Sequence, residues 1–255
     1  MILAIDIGNS NIVIGGVQED TIVFEARLRT DSTKTSDEYC MDLKSLLDIY
    51  KVDIQNIEGS IIASVVPQVL NSMQTAVKKL TGKHSLVVGP GLKTGLNIRL
   101  ENPSQTGADL VVGCVAALKE HKPPMIVVDM GTATTMVVLD ETGALIGGSI
   151  SPGIKISMDA LTDRTALLPG LQLDTPKKTI GRNTIDCMRS GIMMGSACML
   201  DGMIERMEEE LGQKTTVVAT GGIAKFVLPL CKKDIIYDKD LLIKGLAALY
   251  RDNKH

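Results

Sequence analysis

Apolar residues in this chain recur in two rhythms. Short, β-branched runs bounded by Gly, Asp or Pro read as buried strands, and longer stretches with apolar positions three or four apart read as helices. Residues 2–7, 11–17 and 24–28 are strands on this reading. Thr35-Ser-Asp-Glu38 then has the form of a capping box. Behind it Tyr39, Leu43, Leu46, Leu47 and Tyr50 share one helical face. A strand over 60–66, a helix carrying Val69, Leu70, Met73, Ala76, Val77 and Leu80, and a short strand over 86–88 follow.

The pattern then begins again. Residues 125–128 read as a buried strand, and 134–139 with 144–150 as a hairpin turning through Glu141-Thr-Gly143. Helical sequence fills 184–211. Val217 and Val218 lead into a turn at Gly221-Gly222, and a last helix covers 241–251. Two stretches match closely. Ile5-Asp6-Ile7-Gly8-Asn9-Ser10-Asn11 parallels Val128-Asp129-Met130-Gly131-Thr132-Ala133-Thr134, with the two Asp residues 123 positions apart. Each is a buried strand, an Asp, a Gly, small hydroxyl or amide residues, and another strand. This predicts an α/β chain of two duplicated halves with mixed sheets, facing each other across a central cleft. Pro123-Pro124 is the best punctuation, because proline ends a preceding helix, so the halves are set at 1–122 and 123–255.

Composition narrows the function. The chain has 255 residues, a net charge of −3, no Trp, two Phe and four Tyr, so its core must be built from aliphatic residues and 13 Met. It lacks the basic field and the stacking rings of a nucleic-acid binder. No apolar run reaches membrane-spanning length. The N-terminus has no basic region ahead of its apolar residues, and Asp6 interrupts them, which is not the form of a signal peptide. Five cysteines without a C-x-x-C pair, and histidines scattered at 84, 121 and 255, predict free thiols in a cytoplasmic protein rather than disulfides or zinc.

The repeated turn has a chemical use. Its glycine lets backbone approach a ligand closely, the residues after it offer donors to phosphate oxygens, and the Asp can hold a metal ion directly or through water. Asp-x-Gly is also ordinary turn punctuation. Two copies in equivalent places, followed by Thr220-Gly221-Gly222, favour phosphate binding. Asp109 follows Gly107-Ala108 and opens the apolar stretch 110–118, where it reads either as the N-cap of a helix or as a carboxylate aimed into the site.

Taken together, these motifs resemble the actin, sugar kinase and acetate kinase superfamily, of ribonuclease H-like halves. Within it they resemble the type III pantothenate kinase family. The matching residues are Asp6-Ile-Gly-Asn-Ser-Asn11, Arg29-Thr-Asp31, Thr35-Ser-Asp-Glu38, Asn102-Pro103, Gly107-Ala-Asp109, Asp129-Met-Gly-Thr-Ala-Thr-Thr135, Gly147-Gly-Ser-Ile-Ser-Pro-Gly153, Arg164-Thr-Ala166 with Leu168-Pro169, Gly181-Arg-Asn-Thr184, Ser190-Gly191 and Thr220-Gly-Gly222. The resemblance implies transfer of the ATP γ-phosphoryl group to pantothenate, the first step of coenzyme A synthesis. It implies that Asp6, Gly8, Asn9, Ser10 and Asn11 contact the ATP phosphates and that Asp6 helps place Mg²⁺. Thr132 binds phosphate from the second hairpin, Asp129 helps hold a monovalent cation (K⁺ or NH₄⁺), and Gly221-Gly222 border the adenine. Asp109 is the general base, with Gly107 and Ala108 beside the acceptor, and Thr184 contacts pantothenate across a homodimer interface.

The chain departs from that family in its acceptor half. Leu110 stands where the resemblance expects an Arg for the pantothenate carboxylate, and Leu100 where it expects a Tyr. Gly113 replaces an Asn, and Met136-Val137 a Phe-Asp. Three readings stay open: pantothenate phosphorylation using another cation (Arg99, Lys155 or Arg164), a kinase for a different small hydroxyl substrate, or an impaired ATP-binding paralogue acting as a regulatory subunit or in a heteromer with a second kinase-like chain. The six methionines between Met188 and Met207 read as core or dimer packing, and Glu208-Glu-Glu210 as a solvated helix face.

Overall fold

The structure, a computed structural model, describes residues 1–165 and 167–254; Ala166, which closes the Arg164-Thr-Ala match, and His255 lie outside the described residues. Among the described residues two five-stranded sheets carry the chain. In the first, β1 (Ile2–Ile7), β2 (Asn11–Gln18) and β3 (Thr21–Arg29) form an antiparallel meander. β4 (Gly59–Ser64) and β5 (Leu86–Val87) extend it in parallel from the other side of β1. α1 (Ser36–Ile49) and α2 (Pro67–Thr81) make the connections, and α3 (Ala108–Glu120) follows.

The second sheet repeats the plan. β6 (Met125–Met130), β7 (Ala133–Leu139) and β8 (Leu145–Pro152) are the meander, and β9 (Thr216–Thr220) and β10 (Ile236–Tyr237) the parallel extension. The orders β3-β2-β1-β4-β5 and β8-β7-β6-β9-β10 are the same topology. α4 (Ile154–Asp163), α5 (Thr184–Leu211), α6 (Ala224–Val227) and α7 (Leu241–Asn253) complete the chain. The expected duplication is therefore present strand for strand. α4, α6 and β10 carry too little periodicity to have been read from sequence.

Local chemistry explains the elements. The Thr35 hydroxyl accepts from the Glu38 N–H, and the Glu38 carboxylate accepts from the Thr35 N–H at 2.8 Å, closing the predicted capping box of α1. In β1 all six residues are buried, as a central strand covered on both faces requires. Leu3, Ile5 and Ile7 face α1 and α2 and join Tyr39, Leu43, Leu47, Met73 and Val77 in one core. The opposite face is built small. There Gly15 lies against the Ile243 side chain of α7, and Gly59 against the Tyr250 ring. Gly245 of α7 in turn lies on the Val112 carbonyl of α3, with no room for a Cβ. These glycines let α3 and α7 lie close to each other and to the sheet.

Packing divides the chain into two compact units. Unit 1 holds Met1–Leu96, Glu101–Glu120 and everything from Asp240 onward, and unit 2 holds Asn97–Leu100 and His121–Lys239. The units thus differ from a division into 1–122 and 123–255 at α7, which completes the helical layer of sheet 1, and at residues 97–100, which bridge to β8 through Ile98 and Leu145. In unit 2 the methionines of α5 take the packing role expected of them: Met193 is buried, and Met199, Met203 and Met207 pack against the core with Ile126, Val128 and Leu200. No helix among the described residues is long and apolar enough to cross a membrane.

Glu208 corrects the expectation of a solvated face. It is only 8 % exposed and its carboxylate accepts from Lys214 Nζ at 2.8 Å, Lys233 Nζ at 3.0 Å and the Thr215 N–H at 3.1 Å. Burial alone would raise its pKa; these donors outweigh it and hold the group at about 2. A carboxyl lowered on folding stabilises the protein above its unfolded pKa and loses that contribution as pH falls towards the folded value. Glu208→Gln should therefore cost about 1.5–3 kcal/mol at neutral pH and flatten the loss of stability between pH 5 and pH 2, as thermal melts across that range would measure.

Candidate active site

The predicted nucleotide-facing residues of unit 1 gather at the carboxyl end of β1. Asp6 is the penultimate residue of the strand, only 9 % exposed, and lies between Val13 of β2 and Ala63 of β4. The chain then turns tightly, with the Gly8 N–H donating to the Asn11 carbonyl at 3.0 Å and Asn9, Ser10 and Asn11 exposed. Even-numbered β1 residues face α3 and α7, so Asp6 points to the side those helices cover. The direction of α3 follows from its far end. Ala116, Lys119 and Glu120 line a cavity of about 250 Å³ with Val17 and Ile22, at the start of β1. The first turn of α3, with Asp109, consequently lies towards the hairpin end.

Asp109 is the second residue of α3 rather than its N-cap, and its Oδ1 accepts from the Leu110 N–H at 2.8 Å. It is half-buried, and desolvation raises its pKa above the ordinary carboxylate range against the opposing pull of the Leu110 and Asp109 N–H groups. A Cβ on Gly107 would stand 2.5 Å from Oδ1, so a larger residue there would shift this carboxyl. The hydroxyl of the neighbouring Thr106 is buried and has no hydrogen-bond partner.

Unit 2 presents the corresponding edge of its own sheet. Asp129 occupies the penultimate position of β6, but its neighbours are Thr135 on β7 and Thr220 on β9, where Asp6 has Val13 and Ala63. Thr220 is 3 % exposed, and the Thr135 hydroxyl is buried without a protein partner. The hairpin is also shorter. Gly131 N–H donates to the Ala133 carbonyl at 3.0 Å, leaving Thr132 alone at the tip, so Thr134 corresponds to Ile12 rather than to Asn11. Gly153, the N-cap of α4, rests directly on the Thr132 carbonyl, which sets the uncapped first turn of α4 beside that tip. Gly221 has φ 101° and a Cβ there would meet the Met130 carbonyl at 2.5 Å. The Tyr237 hydroxyl donates to the Gly221 carbonyl at 3.3 Å, fixing a partly exposed ring next to Gly221-Gly222.

The residues assigned to the acceptor belong to both units. Leu100 and Leu110 are half-buried, in unit 2 and unit 1 respectively. Gly113, Met136 and Val137 are buried, with Met136 in the core beneath α4 and α5. Of the substitute cations, Arg99 is held by the Asp140 carboxylate at 3.0 Å, while Lys155 and Arg164 are exposed. Thr184 is the first residue of α5, exposed and preceded by the N-cap Asn183, whose side chain accepts from the Asp186 N–H. Two residues of these sites had carried no role. Thr30 bonds to the first hairpin tip, and Tyr237 lies on a two-residue strand too short to show a period.

A family model, type III pantothenate kinase, matches residues 2–206. The chain belongs to the type III pantothenate kinase family. A type III pantothenate kinase from Exiguobacterium sp. (strain ATCC BAA-1283 / AT1b) is 44 % identical over 254 residues, covering all of both chains. One from Halalkalibacterium halodurans is 43 % identical over 99 % of this chain and 100 % of its own. Among solved structures, the activator of the 2-hydroxyisocaproyl-CoA dehydratase from Clostridium difficile with bound ADPNP matches with a TM-score of 0.57 at 13 % identity, over 98 % of this chain and 93 % of that one. That likeness is one of fold, and it places the kinase-family chain in the actin-like, sugar kinase architecture.

Gly221 lies beyond the segment matched by the family model, yet the backbone demands it. In Gly221→Ala a methyl would meet the end of β6 in a left-handed conformation. The expected cost is about 1–3 kcal/mol, read as a lowered denaturant midpoint.

Proposed function

We propose that this kinase transfers the γ-phosphoryl group of ATP to the primary hydroxyl of pantothenate, giving 4′-phosphopantothenate. The observation that carries the reading is Asp109: a carboxyl held in the first turn of α3, on the Asp6 side of sheet 1, with its pKa raised by burial. Such a group takes a proton from an attacking hydroxyl more readily than an ordinary Asp would. The hairpin residues Gly8, Asn9, Ser10 and Asn11 receive the ATP phosphates, Thr132 contacts them from the second hairpin, and Gly221-Gly222 border the adenine. The donor sets suit cations: Asp6 for Mg²⁺, and Asp129 with the flanking hydroxyls of Thr135 and Thr220 for K⁺ or NH₄⁺. When bound, these ions neutralise charge on the phosphate oxygens. Asp109 orients the acceptor hydroxyl and accepts its proton, while Gly107 and Ala108 leave space beside it. The active form is proposed to be a cytoplasmic homodimer in which Thr184 reaches the acceptor of the other protomer, with the exposed Gly191, Gly195 and Cys198 of α5 available for contact.

Leu110 favours a second reading, a small hydroxyl acceptor lacking pantothenate's carboxylate. It places an apolar side chain next to the base, and Arg99 is already paired. Leu110→Arg with Leu100→Tyr separates the two: a fall of about tenfold or more in the pantothenate KM would mark a weakened carboxylate site, and no change would favour the native acceptor being a different alcohol.

Asp109→Asn should lower kcat by about 10²–10⁴. Because a carboxyl with a raised folded pKa destabilises the fold once ionised, the same variant should melt no lower than the parent at neutral pH. In the parent, turnover should fall as pH drops through a pKa above the usual Asp range, since the base works only when deprotonated. Formation of 4′-phosphopantothenate from ATP, Mg²⁺ and K⁺ at no more than the Asp109→Asn rate would reject the reading.

A further inference from the structure

The loop after β3 holds the first hairpin from below. The Thr30 hydroxyl donates to the Gly8 carbonyl at 2.6 Å, and the Thr30 N–H donates to the Ser10 carbonyl at 3.1 Å. Both acceptors belong to the turn between β1 and β2. A turn that binds phosphate must present N–H groups to the anion and keep its carbonyl oxygens away from it. Here one residue ties down two of those carbonyls.

Thr30 is itself held. The hydroxyl of Tyr39 donates to the Asp31 carbonyl at 2.8 Å and accepts from the Asp31 N–H at 3.2 Å. Tyr39 is fully buried in the core beneath α1. The Asp31 carboxylate accepts from the Thr33 N–H at 2.9 Å and the Thr33 hydroxyl at 2.6 Å, closing the turn that leads to the capping box. Hydrogen bonds at each end of the Thr30–Asp31 dipeptide thus connect a core tyrosine to the hairpin tip.

We propose that Thr30 is a positioning residue for the nucleotide: it fixes the Gly8–Ser10 turn in its phosphate-receiving shape and couples that shape to the packed base of α1 through Tyr39. The inference rests on the ATP phosphates lying at this hairpin, as proposed above. It adds a residue that touches neither nucleotide nor acceptor and acts on one substrate only.

The test uses steady-state kinetics and ATP-analogue binding on full-length Thr30→Val, Thr30→Ser, Tyr39→Phe and Asn11→Ala. Thr30→Val keeps the shape and removes the donor. It should raise the KM for ATP and the analogue Kd about tenfold, leave the acceptor KM within about twofold, and melt close to the parent. Thr30→Ser should restore ATP affinity to within about twofold, and Tyr39→Phe should weaken it in the same direction but less. Should Thr30→Val not fold, the Tyr39→Phe shift and the Thr30→Ser recovery decide the matter. Unchanged ATP affinity in Thr30→Val alongside a weakened Asn11→Ala overturns the role of Thr30 and leaves the hairpin assignment standing. Unchanged affinity in both overturns the two together. A parallel loss for ATP and acceptor with a lowered melting temperature also overturns it, since that is a structural defect without selectivity.

Discussion

Each sheet depends on one strand that pairs antiparallel on one side and parallel on the other. β1 and β6 hold that position, and both are apolar along almost their whole length because both faces are covered. A charged residue can be tolerated in such a strand only near its end, where the sheet gives way to solvent. Asp6 and Asp129 occupy that place, each one residue from the terminus. The parallel neighbours β4 and β9 bring their carboxyl ends to the same edge, the side on which open α/β sheets bind ligands. A packing constraint thus sets each carboxylate at the carboxyl edge of its sheet.

Duplication leaves the two edges alike in topology and unlike in chemistry. In unit 1 the Asp has apolar neighbours, and the turn is two residues long and braced by Thr30. In unit 2 the Asp sits in a row of hydroxyls and the turn has Thr132 alone at its tip, with Gly153 pressed against it. The first edge is suited to shaping a backbone turn around an anion, and the second to collecting oxygen ligands.

β1 to β9 and the helices α1, α2, α5 and α7 were legible in sequence because their signals are local: alternating or continuous apolar runs, helical spacing and a capping box. The duplicated Asp-x-Gly turns were legible for the same reason. What escaped depends on contacts between distant segments. The burial of Glu208 is set by Lys214, Lys233 and Thr215, all outside its helix, and nothing in a Glu-Glu-Glu run marks which one turns inward. The assignment of α7 to unit 1 is decided by Gly15, Gly59 and Gly245, whose role is visible only once Ile243, Tyr250 and Val112 lie against them. That the side chain at position 136 joins the core of unit 2 is likewise visible only once the pleat is known.

Those same glycines bear on the base. α3 can lie against α7 only because Gly245 has no side chain, and both helices can approach sheet 1 only because Gly15 and Gly59 leave room. Asp109 stands in the first turn of α3, where burial raises its pKa. Gly107 leaves the carboxyl its place, which a Cβ would displace. The raised proton affinity of Asp109 is an effect of burial, opposed by the Leu110 and Asp109 N–H groups.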